Sequence, residues 1–108
     1  MVDESILKSI QAYLRVLEKE GLPVRFGILF GSQLKGKANH YSDIDLVVVS
    51  PKYDQRRSLE DLADLFEIAA TTDYRIEPIP CGEKQWEEDD ESVIIEIARR
   101  EGVRIDPA

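Results

Sequence analysis

The segment that most constrains this chain is DIDLVVVS, residues 43–50. Its Leu46–Val49 run is apolar and largely β-branched at consecutive positions, so both faces call for burial, as in a central strand. Yet the segment opens with Asp43 and Asp45. Side chains at i and i+2 share one face of a strand, so the two carboxylates project side by side at the entrance of a buried element. Two such anions repel, and without a partner at least one is driven toward its protonated form. The rest of the chain has to build a core around this strand and leave its polar end open.

Helical and extended periods on either side supply that core. Ile6, Ile10, Leu14 and Leu17 recur at helical spacing over residues 4–20, with Asp3 as a cap and Gly21 and Pro23 as the stop. VRFGILF (24–30) has strand length, and GSQLKGKANHYS (31–42) reads as a loop with at most one helical turn. Pro51 ends the central strand. Ser58 and Asp61 form a capping pair for a second helix whose apolar stripe is Leu59, Leu62, Ala63, Phe66 and Ala70. YRIEPIP (74–80) is extended, but Pro78 and Pro80 lack donors, which places it at or near a sheet edge. A last helix is expected over 91–101, with Ile94, Ile97 and Ala98 inward and Gly102 at its end, followed by a short strand at 103–105.

These elements describe a single α/β domain over residues 1–108, and the 43% hydrophobic content suits one modest core. No apolar run approaches the roughly 18–20 residues of a membrane span, and the N-terminus has no signal-peptide pattern. Cys81 is the one cysteine, so no internal disulfide forms and a cytoplasmic location is expected. Acidic side chains outnumber basic ones 22 to 14, for a net charge of -8. Such a balance argues against long nucleic acid as a partner and favours cations and basic proteins.

The chemistry concentrates in residues 30–49, FGSQLKGKANHYSDIDLVVV. Two divalent cations would relieve the repulsion between Asp43 and Asp45, and a paired-ion site is a common phosphoryl-transfer device. Hard ions such as Mg²⁺ suit carboxylate oxygens and keep positions open for phosphate. A third carboxylate is then expected on a neighbouring strand. Glu77 is the only acid within YRIEPIP; Asp73, just before it, is the second choice. Upstream, Gly31 lets backbone N–H groups approach a phosphate, and the Ser32 hydroxyl adds a donor. Lys35 and Lys37 add positive charge to the same loop. Ten residues separate Ser32 from Asp43, enough to leave one strand and enter its neighbour.

Several other residues carry blander expectations. His40 is expected to be exposed, Cys81 to be an inert thiol, and Trp86 to anchor the final helix. EEDDE (87–91) reads as the solvated entrance of that helix.

Gly-Ser, ten residues, then Asp-x-Asp resembles the signature of the nucleotidyltransferase superfamily that includes DNA polymerase beta. The short chain is similar, within it, to the minimal nucleotidyltransferases, the MntA-like antitoxins. The opening helix, Lys35–Gly36, SDIDLVVV and the closing IIEIARREGVRI all fit that group. The resemblance implies a polymerase-beta-like fold of the α/β (α+β) kind, a small mixed sheet flanked by helices. It implies that Gly31, Ser32 and Lys35 hold a nucleoside triphosphate such as ATP. Asp43 and Asp45 would bind two Mg²⁺, with Glu77 in the third-carboxylate place. The implied reaction is attack of a hydroxyl on the α-phosphate with release of pyrophosphate. The implied partner is a HEPN-domain toxin that receives AMP. Two alternatives stand beside this: an antitoxin that acts by binding alone, and a small-molecule nucleotidyltransferase whose acceptor pocket forms in a homo-oligomer.

Overall fold

A computed structural model describes residues 2–34, 43–55, 58–88 and 92–107. Lys35, Lys37 and His40 fall outside these residues, as do positions 89–91 of the acidic run. The first helix, α1 (Glu4–Lys19), starts where Asp3 accepts a hydrogen bond from the Ser5 backbone N–H, and it turns Ile6, Ile10, Tyr13, Leu14 and Leu17 inward. Strands β1 (Phe26–Phe30), β2 (Ile44–Val49), β3 (Ile76–Cys81) and β4 (Val103–Ile105) form one sheet in the order β3-β2-β1-β4. β1 is antiparallel to β2 and β4, whereas β3 runs parallel to β2. As expected from its two prolines, β3 is an edge. The Arg75 and Cys81 carbonyls accept from the Ile44 and Ser50 backbone N–H groups at 2.8 and 3.0 Å. Odd-numbered residues of β3 therefore turn their polar groups toward β2, and Pro78 and Pro80 take alternate positions facing outward. The ladder loses no donor, and the edge cannot template another strand.

The parallel β2–β3 pair requires a crossover, and α2 (Leu59–Thr72) provides it. It begins with the expected capping box between Ser58 and Asp61. Its orientation differs from the sequence expectation. Leu65 and Ala69 are buried, while Leu59 is 86% and Phe66 45% exposed, and Ala63 and Ala70 also face solvent. The helix is apolar on more than one side, and α1 and the sheet select the other side. On that face of the sheet, α1 and α2 close a continuous core with Leu29, Ile44, Leu46, Val48, Ile76 and Ile105.

The opposite face is only partly covered. There α3 (Glu83–Glu88) and α4 (Val93–Glu101) pack over Phe26, Ile28, Val47, Val49 and Cys81. The sequence pattern does not predict α3, which separates Glu87 and Glu88 from the final helix. Trp86 stands on α3, edge-on to Phe26 with ring centroids 5.9 Å apart and beneath the Arg99 guanidinium of α4. It does anchor the last helix, from the preceding one. Of the residues expected inward on α4, Ala98 is buried but Ile94 and Ile97 are exposed, and Ile95 takes the core position. Gly102 caps α4, its N–H donating to the Ala98 carbonyl at 2.8 Å. It does so with an ordinary negative φ, and its need for glycine is steric: a Cβ there would strike the Ile28 side chain. No helix among the described residues is long and apolar enough to cross a membrane.

Candidate active site

Asp45 alternates with Leu46 and Val48, so it points to the less covered face of the sheet, beyond the reach of the apolar cluster under α3 and α4. Register then supplies its neighbours. Asp45 sits opposite Phe30 on β1 and opposite Glu77 on β3. Side chains at one register position of paired strands share a face, so the Glu77 carboxylate stands beside that of Asp45. Asp43 lies just ahead of β2 and is exposed. The three expected carboxylates thus come together at one end of the sheet.

Electrostatics record the proximity. The Asp45 carboxyl is raised above the usual range, first by burial and then by the charge of Asp43. Glu77 is raised by loss of solvent, by the charge and a hydrogen bond of Asp43, and by the charge of Asp45. A hydrogen bond between two carboxyl groups needs a proton, which is why it favours the neutral form. Among the described residues, no three His, Cys, Asp or Glu side chains are drawn together tightly enough to hold an ion as they stand. The donor set nonetheless suits a hard divalent cation: it is all oxygen, it is anionic, and its members repel one another until countercharge arrives.

Asp73, the second choice, is engaged by Arg75. Its carboxylate receives Arg75 Nε at 3.0 Å and a terminal guanidinium nitrogen at 2.7 Å, and the Arg75 backbone N–H at 3.0 Å. Those bonds hold its pKa below the usual carboxylate value. Glu77 makes no ion pair among the described residues.

β1 delivers the other half of the site. After Phe30 the chain enters a single 3₁₀ turn, Gly31–Gln33, closed by the Leu34 N–H on the Gly31 carbonyl at 3.1 Å. Gly31 has φ of 83°, the left-handed region that favours glycine. A Cβ at Gly31 would also run into the Asp45 carboxylate. Glycine is therefore required twice: by the turn, and by the approach of the aspartate to the turn's backbone. Ser32 follows in the same turn, half-buried.

One participant escaped the sequence reading. Gln33 donates through Nε2 to the Asp43 carbonyl at 3.3 Å, tying the Gly-Ser turn to the backbone that carries the first aspartate. Its only sequence signal is its place directly after Gly31–Ser32.

A search among curated proteins returns no match. Among solved structures, the chain resembles the crystal structure of a candidate nucleotidyltransferase from Sulfolobus solfataricus, with a TM-score of 0.62 at 15% identity. That match covers 91% of this chain and 77% of the other, and at this identity it establishes the shared fold. The family model for the nucleotidyltransferase domain matches residues 10–105, which include both strands of the aspartate site, the Gly-Ser turn and Glu77. The chain belongs to the nucleotidyltransferase domain family, of the polymerase-beta superfamily.

Proposed function

We propose that the protein transfers a nucleoside monophosphate, AMP from ATP, to a hydroxyl group on a partner protein, and that the pair is a HEPN-type toxin and its MNT antitoxin. The observation that carries the transfer is the position of Asp45, against Gly31 on one side and in register with Glu77 on the other. It joins a phosphate-accepting turn to an anionic cluster within one short stretch of sheet.

Asp43, Asp45 and Glu77 are the residues that would hold Mg²⁺. When bound, such ions supply the countercharge for the triphosphate and activate the attacking oxygen. The chain's own part is positioning. Backbone N–H groups around Gly31 and the Ser32 hydroxyl receive the phosphates, and the Gln33 bond to the Asp43 carbonyl fixes their spacing from the aspartates. The acceptor oxygen bonds to the α-phosphorus, the bond to the bridging oxygen of pyrophosphate breaks, and the acceptor's proton passes to a carboxylate. Glu77, beside Asp45 in register, is placed to take it.

An acceptor presented by a partner protein suits a carboxylate cluster at the sheet end that α3 and α4 leave uncovered. The net charge of -8 suits a basic partner. Incubation of the protein with the co-purifying partner, α-labelled ATP and Mg²⁺ tests this. Label should appear on the partner and vanish with Asp43→Ala; no label from the native protein, or equal label from the variant, would refute the reading.

Neutralisation by occlusion is a second reading, favoured by the exposed Leu59 and Phe66 of α2 and Val93, Ile94 and Ile97 of α4. It predicts that Asp43→Ala/Asp45→Ala still silences the toxin in full.

A further inference from the structure

A cavity of about 490 Å³ opens on the α1–α2 side of the sheet, the face turned away from Asp45 and Glu77. It lies between the C-terminal end of α1, the middle of α2 and the 3₁₀ turn Pro51–Asp54 that follows β2. Its volume falls within the range of small-molecule sites. The floor is apolar, built from Val16, Leu17, Tyr53, Leu65 and Ile68. The rim is acidic: Glu20, Asp61, Asp64 and Glu67 surround it, against the single cation Lys52 among the described residues.

Lys52 is already engaged with Asp61 at 3.5 Å. Glu20, Asp64 and Glu67 have no ion-pair partner among the described residues. Exposed carboxylates on a helix are usually no more than solvated charge. Tyr53 makes this rim different. It is 5% exposed, its hydroxyl forms no hydrogen bond with the described residues, and no fully buried side-chain oxygen among them lacks a partner. The hydroxyl is therefore solvent-accessible, and Tyr53 lines the cavity. Burial and the nearby Asp61 and Asp64 push the phenol up to about 12, so it stays a neutral donor at physiological pH.

We propose that this cavity is a second ligand site, distinct from the nucleotide cleft, and that it takes an organic cation: a protonated amine or guanidinium on an aliphatic stem. The stem lies along Leu17, Leu65 and Ile68, and the charged head reaches Asp64 and Glu67. The Tyr53 hydroxyl, a lone-pair acceptor as well as a donor, is the polar contact at depth. An anion is repelled by the rim. A neutral alkyl chain gains the floor but leaves the carboxylates without a counterion.

Titration of the full chain with n-hexylammonium, followed by amide chemical shifts, tests the assignment. Shifts are expected on Leu17, Tyr53, Leu65 and Ile68, with hexanol and hexanoate each binding about tenfold more weakly or worse. Asp64→Asn/Glu67→Gln, two exposed positions whose exchange leaves the core intact, is expected to weaken the amine roughly tenfold. Tyr53→Phe should weaken it about threefold. Asp43→Ala should leave it unchanged, because the carboxylates of the other face take no part. Hexanol binding as tightly as the amine, or amine binding that is lost with Asp43→Ala and kept in the rim variant, overturns the proposal. N-acetyl-lysine N-methylamide separates two sources of the cation. Equal binding at the same residues assigns the site to a side chain of a partner protein, and binding of the free amine alone assigns it to a small molecule.

Discussion

The two faces of the sheet are built from the same four strands and serve opposite ends. Under α1 and α2, Leu29, Ile44, Leu46, Val48 and Ile76 are 4% exposed or less and meet a long amphipathic helix and a crossover helix. On the other face, the two short helices α3 and α4 cover only one end of the sheet, and the opposite end carries Asp45 and Glu77. Stability is concentrated on the first face. The second carries carboxylates whose charge is disfavoured by burial and by one another. Alternation along β2 makes this division possible: Leu46 and Val48 are core residues of one face, while Asp45 belongs to the other.

Substitutions on the two faces should separate accordingly. The largest effect is expected at the carboxylates. Asp45→Asn should reduce nucleotidyl transfer about a thousandfold or more while the protein stays folded, as measured by label transfer alongside a thermal melt. Loss of activity together with unfolding would erase the contrast. Leu14→Ala, at a fully buried position under the first face, should cost about 2–5 kcal/mol in denaturant unfolding and lower activity only through the fraction unfolded. Gly31→Ala joins the two quantities, since it strains a left-handed turn and crowds Asp45. It should cost about 1–3 kcal/mol and abolish nucleotide binding, which calorimetric titration reads directly.

The smallest effect is electrostatic and its sign is fixed by the direction of the shifts. Asp45 and Glu77 have raised pKa values in the folded protein. Their contribution to stability is therefore complete below the ordinary carboxylate range, about pH 4, and is lost as pH rises through the raised values. Asp73 is lowered, so its contribution is present above that range and fades as pH falls. Between pH 4 and neutrality, Asp45→Asn should flatten the loss of stability, and at pH 7 it should raise stability by up to about 1 kcal/mol in urea unfolding. Mg²⁺ with nucleotide should stabilise the native protein and leave the variant unmoved.

Much of this arrangement is legible in the chain. DIDLVVV marks a central strand with an anionic entrance, Gly31–Ser32 marks the facing turn, and Pro78 with Pro80 marks the edge on which Glu77 rides. What eludes the sequence is decided by tertiary neighbours. Glu77 falls beside Asp45 through a parallel register that no local pattern encodes. Asp73, equally acidic and four residues away, is paired with Arg75 instead. α2 and α4 each offer two apolar stripes, and periodicity cannot tell which one the sheet will choose. α3 has Trp86 as its one large apolar side chain, and it is fixed from outside, where Asp54 accepts the Lys84 backbone N–H at 2.9 Å.

The central claim is tested most directly by a crystal structure with Mn²⁺ and a non-hydrolysable ATP analogue, in which anomalous scattering locates the ions. Two manganese peaks within bonding distance of Asp43 and Asp45, with the triphosphate seated on Gly31 and Ser32, are the predicted result. Nucleotide bound elsewhere, or bound at the turn with no metal at either aspartate, would contradict it.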